Sequence, residues 1–225
     1  MSHIGTLREK PLHASLKEWS RLPGDRVEVP VDGFVIDLVR DDLLIEIQTR
    51  GFSSMKKKLA ALLDEGHRVR IVHPVAVDTW IVKMGDGGEL LSRRRSPKHG
   101  TAVDIVSELV SFPQLLGHPN LEIQIVLVRQ DELREHSEDG PWRRKGWRVA
   151  ERRLVEVIDD ILFESPDDLV SLLPANLPDP FTTADLSDGL GRTRRVAQQM
   201  AYCLRHAGAI SEVGRAGNAI QYRVA

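Results

Sequence analysis

Residues 25–49 read DRVEVPVDGFVIDLVRDDLLIEIQT, an alternation of period two that breaks at Asp32-Gly33 and again at Asp41-Asp42. Alternation suits a half-buried strand, and short Asp/Gly interruptions suit tight turns. The segment therefore predicts three consecutive antiparallel strands. No other stretch limits the fold as strongly, because such a meander is stable only when something covers its apolar face. Helical patterns flank it on both sides. Residues 11–22 place Leu12, Leu16 and Trp19 at helical spacing behind Pro11, a residue suited to a helix start. Residues 51–67 place Phe52, Met55, Leu59 and Leu62 on one face, with Ser53 or Ser54 as cap and Gly66 as stop. RVRIVHPVA and DTWIVKMG follow as two further strands. The order is helix, three strands, helix, two strands.

The turn at Asp41-Asp42 has a chemical consequence. If it is a two-residue turn, Arg40 faces Leu43, Val39 faces Leu44, Leu38 faces Ile45 and Asp37 faces Glu46. Two carboxylates would then sit with Cβ atoms about 4.5–5.5 Å apart, which is destabilising unless neutralised. Gln48 shares their face, while Ile36, Leu38, Ile45 and Ile47 form the apolar one. A shared proton, a nearby Lys or Arg, or a divalent cation would neutralise the pair. Oxygen ligands on a short hairpin suit Mg²⁺ or Mn²⁺. The alternative is a solvated strand edge with the acids paired to Arg40 or Arg50.

The remainder is less regular. Residues 85–100, GDGGELLSRRRSPKHG, read as a turn and basic loop, followed by a helix near 101–116 and a strand near 121–129. The tripeptide Glu-Ile-Gln of 46–48 recurs at 122–124, where it reads as ordinary strand. HSEDGPWRRKGWR at 136–148 reads as an exposed loop, with Trp142 and Trp147 as stacking platforms beside basic residues. LVEVIDDILF at 154–163 fits a hairpin or a helix, and periodicity leaves both open. PANLPDP at 174–180 reads as a linker. This predicts a first domain over 1–173, with an irregular insertion around 86–150, and a second over 181–225.

Beyond the linker, Thr182 and Asp185 have capping-box spacing at the head of one helix. Val196, Met200 and Leu204 mark the apolar stripe of a second, which Gly208 closes. Residues 209–224 alternate about Arg215-Ala216-Gly217-Asn218 as a hairpin. Six arginines against three acids over 182–225 make this end basic in a chain of net charge -2.

Over residues 11–83, the element order with Asp37, Glu46 and Gln48 resembles the PD-(D/E)XK nuclease superfamily. The resemblance implies an α/β (α+β) fold with a restriction-endonuclease-like mixed sheet flanked by helices. It also implies hydrolysis of DNA phosphodiesters with Mg²⁺ or Mn²⁺. Carried over, Asp37 and Glu46 are metal ligands, Ile47 lends its backbone carbonyl, and Glu18 on the first helix is a further ligand, against a bland reading as a solvated helix residue. Gln48 stands where the family has Lys. Some members carry Gln there, and in others the Lys sits on the following helix, where Lys56 takes the role and Lys57 and Lys58 form a solvated face.

Residues 180–225 resemble a winged helix–turn–helix domain, with 165–173 as its first helix. That resemblance implies double-stranded DNA as partner, contacted by Thr193, Arg194, Arg195, Gln198 and Gln199 on the second helix of the pair and by Arg215 at the wing tip. A homodimer stays open. The rival reading is a non-catalytic DNA-binding regulator with an inactive nuclease-like core. One cysteine and no long apolar run predict a cytoplasmic chain without a membrane span.

Overall fold

The structure is a computed structural model and describes residues 10–139 and 142–225. The opening meander forms as β1 (Arg26–Val31), β2 (Phe34–Arg40) and β3 (Leu43–Ile47), behind helix α1 (Pro11–Ser20). Asp32 and Gly33 both have positive φ, at 48° and 81°, as a type I′ turn requires. The second turn gives the register Arg40–Leu43, Val39–Leu44 and Leu38–Ile45.

After β3 a single 3₁₀ turn at Phe52–Ser54 leads into α2 (Lys56–Asp64), and the chain returns as β4 (Arg68–Met84), parallel to β3. Met55 occupies the N-cap position of α2, which has no side-chain cap bond, so neither Ser53 nor Ser54 caps it. The two strands expected over 68–85 are one strand. A register irregularity between Ala76 and Asp78 absorbs the break in their pattern.

The stretch 86–150 is not an irregular insertion. Its basic loop contains β5 (Leu90–Arg95), antiparallel to the outer half of β4. The helix expected near 101–116 is broken into a 3₁₀ turn at Ala102–Ile105, the short α3 (Val106–Leu109) and another 3₁₀ turn at Pro113–Leu115. β6 (Leu121–His136) then runs parallel to β4 for almost its whole length, and β7 (Trp147–Phe163) returns antiparallel to β6. The order across this mixed sheet is β1-β2-β3-β4-β6-β7, with β5 attached to β4.

Helices cover both faces. On one, Leu12 and Leu16 of α1 pack with Leu38, Ile45, Ile47, Val72, Val126 and Val128. On the other, Leu59 and Leu62 of α2 and Phe112 pack with Ile36, Ile71, Ile123 and Ile125. Each such fully buried side chain contributes about 1.5–3 kcal/mol.

The C-terminal segment holds α4 (Pro166–Val170), β8 (Phe181–Thr182), α5 (Thr183–Leu190), α6 (Arg194–Ala207), β9 (Ile210–Ala216) and β10 (Ala219–Val224). α4 is shorter than the helix expected over 165–173. The capping box forms, with Thr182 Oγ1 accepting from Ala184 and Asp185 and the Asp185 carboxylate accepting from the Thr182 backbone. β8, β10 and β9 make a small antiparallel sheet. Ala197, Met200, Cys203 and Leu204 of α6 belong to the same buried cluster as Val106, Phe112 and Leu116. The Cys203 thiol donates to the Val106 carbonyl at 3.8 Å. A Cβ on Gly117 would lie 3.2 Å from the Ala207 carbonyl oxygen. Residues 174–180 thus join two parts that share one core. Among the described residues no helix is long and apolar enough to cross a membrane.

Candidate functional site

The ladder between β2 and β3 has its last paired positions at Leu38–Ile45. Beyond that point the Asp37 carboxylate, not a strand carbonyl, accepts the Ile47 backbone N–H at 2.9 Å. The two strands part here. The opening is a cavity of about 630 Å³ whose wall includes Asp37 from β2, Glu46, Ile47 and Gln48 from β3, His13 and Lys17 from α1, and Lys58 from α2. Glu28, also on the wall, holds φ at 52° inside β1, a conformation an L residue rarely adopts within a strand.

The charges in this cavity are matched locally. Burial raises the Asp37 carboxyl, but the hydrogen bond and charge of His13, the Ile47 N–H and the Lys17 charge outweigh it, and the net shift is downward. His13 Nε2 lies 3.3 Å from Asp37 Oδ2. Glu46 goes the other way. Burial, together with the Asp37 charge, pushes it up to about 7, even though the Lys58 ammonium lies 2.6 Å away and pulls it down. Lys58 Nζ also donates to the Val35 carbonyl at 2.6 Å.

Gln48 is held at both ends. Its side-chain Nε2 donates to the Gly51 carbonyl at 2.9 Å and to Ser54 Oγ at 3.1 Å. Its backbone carbonyl accepts from His73 Nδ1 at 2.6 Å. His73 is half-buried, and its desolvation lowers its pKa; the ring stands edge-on to Phe52 at 5.0 Å. Ser54 therefore orients the Gln48 amide, although it does not cap α2.

Asp37, Glu46, Ile47 and Gln48 all border this cavity, but the ladder stops before the cross-strand Asp37–Glu46 pair that the spacing predicts, and Ile36 packs on the opposite side of the sheet from Leu38, Ile45 and Ile47. Lys56 does not join them. It is exposed and off the cavity wall, whereas Lys58, expected on a solvated face, reaches in. Glu18 is exposed, its carboxylate 3.8 Å from Arg21, and also lies outside the cavity. Arg40 is turned away to Asp25, where its Nε and Nη2 donate at 3.0 and 2.8 Å. Trp80 does not fill the cavity. Its ring lies under the Arg93 guanidinium at 4.3 Å.

His13, Lys17 and Lys58 are the side chains of the cavity wall that sequence reasoning did not place there. A signal existed, since His13 and Lys17 are four residues apart beside the Leu12–Leu16 stripe, and Ser54 and Lys58 are four apart beside Met55 and Leu59. Among the described residues no three His, Cys, Asp or Glu side chains gather into a group able to hold a metal. The carboxylate and imidazole donors in the cavity wall are those of Asp37, Glu46, Glu28 and His13, of which Glu28 is paired with Lys17 and His13 lies against Asp37.

Residues 10–164 match the family described as "Domain of unknown function (DUF8091)". The chain belongs to the DUF8091 family. An uncharacterized protein of Treponema pallidum (strain Nichols) is 32% identical over 222 residues, covering 98% of this chain and 87% of its own length. No solved structure matches. The DUF8091 match runs from the residue before α1 to the residue after β7, so the whole cavity lies inside it. α4 through β10 lie outside.

In that outer part, Thr193, Arg194, Arg195 and Gln198 are exposed at the start of α6, and Gln199 is half-buried. Arg215 is exposed near the end of β9. The other three arginines are engaged: Arg192 with Thr101 and Asp104, Arg205 with Glu212, and Arg223 with Asp179. Arg194 donates to Thr183 Oγ1 at 3.2 Å and borders a groove of about 360 Å³ between α6 and the hairpin, with Gln198 and Tyr202. Among the described residues, Arg194, Arg195 and Arg215 make no ion pair of the kind that holds Arg192, Arg205 and Arg223.

Proposed function

We propose that this protein is a metal-dependent DNA endonuclease whose site is the cavity between β2 and β3, with α6 and the β9–β10 hairpin as its duplex-binding face. The observation that carries the reading is the convergence of Asp37, Glu46, Gln48 and Lys58 on one cavity where two paired strands separate. The element order of α1 through β4 supports a PD-(D/E)XK-like core, and the two helices with a three-stranded sheet support a winged helix. The donor set fits a hard divalent cation, because Mg²⁺ and Mn²⁺ take one or two carboxylates and keep several waters. Burial also leaves Glu46 short of positive charge, which such an ion would provide. Held by Asp37 and Glu46, such a cation would supply Lewis acidity at the phosphate and a water of lowered pKa.

The chain's own groups do the rest. Asp37 is fixed by the Ile47 N–H and ionised by its neighbours. Lys58 takes the place of the family's strand lysine, bringing a positive charge to the phosphate from α2. Gln48, clamped through Nε2, keeps its Oε1 as an acceptor that orients the attacking water. The test is a calorimetric titration of Mn²⁺ into wild type and Asp37→Asn, with plasmid nicking on the same samples. Binding and nicking that both disappear in the variant support the proposal.

The second reading is a DNA-binding regulator with a silent core. It draws on Lys58 already sitting on Glu46, and on Gln48 in place of lysine. Wild type that binds duplex but neither Mn²⁺ nor Mg²⁺ decides for it.

A further inference from the structure

We infer that Glu108, on α3, is a positioning residue of the candidate site: through a single peptide plane it sets which end of the Gln48 amide is left for the cavity. This rests on the nuclease reading above, in which Gln48 Oε1 orients the attacking water. The plane is the Gly51–Phe52 peptide. Its N–H donates to Glu108 Oε2 at 3.0 Å, and its carbonyl accepts from Gln48 Nε2 at 2.9 Å. It is trans, as are all the described peptides except Asp179–Pro180, so its N–H and C=O point in opposite directions. A carboxylate on one side and a side-chain amide on the other are thus joined by one rigid unit. Glu108 is not on the cavity wall, and it acts through that unit alone.

The Gln48 backbone is pinned independently. Its N–H donates to the Val72 carbonyl at 2.9 Å and its carbonyl accepts from His73, both on β4. What remains to be set is the rotation of the amide. A carbonyl only accepts, so Gly51 takes the Nε2 end and leaves Oε1 over. Ser54 agrees, because its hydroxyl donates to the Gly51 carbonyl at 3.2 Å and accepts from Gln48 Nε2 at 3.1 Å. If the plane turned over, the Gly51 carbonyl would meet the Glu108 carboxylate, and the Phe52 N–H would face Gln48 and take Oε1. The cavity would then be offered a donor. The Glu108 bond opposes that turn twice, since a charge-assisted bond is about twice as strong as a neutral one and two acceptors repel. The support behind Glu108 is firm. Phe52 is fully buried and stacks on Phe112, four residues after Glu108, at 5.4 Å with nearly parallel rings. α3 is tied in turn to α6 through Cys203 and Val106.

The test follows the Gln48 side-chain NH₂ by proton–nitrogen NMR, assigned by its loss in Gln48→Met, with plasmid nicking in Mn²⁺ on the same samples. Wild type is compared with Glu108→Ala, Glu108→Asp and Glu108→Gln. Glu108→Asp keeps the charge but is one methylene short of Phe52, and it replaces Glu108→Ala if that variant does not fold. Glu108→Gln keeps an acceptor. In the Ala and Asp variants the Gln48 NH₂ resonances should move and exchange with water about tenfold faster. Their kcat should fall about tenfold, with KM changed by less than about twofold. Glu108→Gln should restore most of both. A cap with a structural role alone would lower the melting temperature and leave the Gln48 resonances and kcat of the folded protein in place, and that result overturns the inference. Displaced resonances with unchanged kcat overturn it as well. Gln48 resonances that follow Glu108 in a protein whose wild type neither takes up Mn²⁺ nor nicks DNA leave the positioning standing and remove the nuclease reading.

Discussion

Lys58 Nζ lies 2.6 Å from Glu46 Oε1 and 2.6 Å from the Val35 carbonyl, so one ammonium ties α2 to β3 and β2 where those strands part. Glu46 is nonetheless held near neutrality in its titration, because burial outweighs that contact. The site carries a carboxylate that is only partly compensated, and the predictions start there.

Removing the ammonium should be costly in a way that removing its neighbour is not. Lys58→Met leaves Glu46 buried with no cation and should lower stability by about 1–3 kcal/mol, read from urea denaturation at neutral pH. If the cavity is a nuclease site, kcat should fall by about 10²-fold. Lys56→Ala should change neither. Equal effects of the two substitutions would remove Lys58 from the site.

Glu46 also predicts a pH dependence. It titrates near 7 in the folded chain against 4.5 as an ordinary Glu. The folded state therefore binds this proton more tightly than the unfolded state does. That contribution is fully present below 4.5 and is lost as the pH rises through 7, a change on the order of 3 kcal/mol. Urea denaturation from about pH 5 to about pH 8 should show this loss in wild type and a flatter profile in Glu46→Gln. The same slope in both proteins would assign the effect elsewhere.

Asp25 and Arg40 make a different kind of contact. Both Asp25 oxygens accept from Arg40, which also donates to the Ser20 carbonyl at 2.7 Å, joining the end of α1 to β2. The Arg40 hydrogen bond holds the Asp25 carboxyl below its usual value. Its stabilisation is thus present above about pH 4 and lost as the pH falls through the lowered value. Asp25→Asn should cost about 1.5–3 kcal/mol at pH 7, and the difference from wild type should shrink in acid. Circular-dichroism melts at the two pH values read this directly.

The shared core predicts cooperative unfolding. Met200 of α6 is fully buried in the cluster that contains Phe112 and Leu116. Met200→Ala should cost about 2–5 kcal/mol and shift one common transition. Trp19, Trp80, Trp142 and Trp147 all precede residue 174, so their fluorescence reports on the sheet alone. A fluorescence transition that stays in place while far-UV circular dichroism shifts would mean two independent units.

Sequence alone was enough for every element whose pattern is local. The meander, its turn at Asp41-Asp42, α1, the α5 capping box and the β9–β10 hairpin follow from period, turn residues and caps, which act within a few neighbours. β7 was not legible in the same way. Pairing with β6 leaves Ala150, Val155 and Ile158 as extra residues, and these bulges erase the alternation that marks a strand. β5 was hidden because its residues are all exposed and carry no buried face to read.

The candidate site divides along the same line. Asp37, Glu46 and Gln48 lie on the two arms of one hairpin, so spacing alone predicts them as near neighbours, although the ladder ends at Leu38–Ile45 before the two acids can pair. Choosing Lys58 over Lys56, turning Arg40 away to Asp25, and bringing His13 and Lys17 over Asp37 required the packing of α1 and α2 on opposite faces of the sheet. Local alternation determines which residues share a strand face, because side-chain direction is set by the backbone. Which charge meets which was decided only in the tertiary structure, because that depends on how helices distant in sequence are rotated against the sheet.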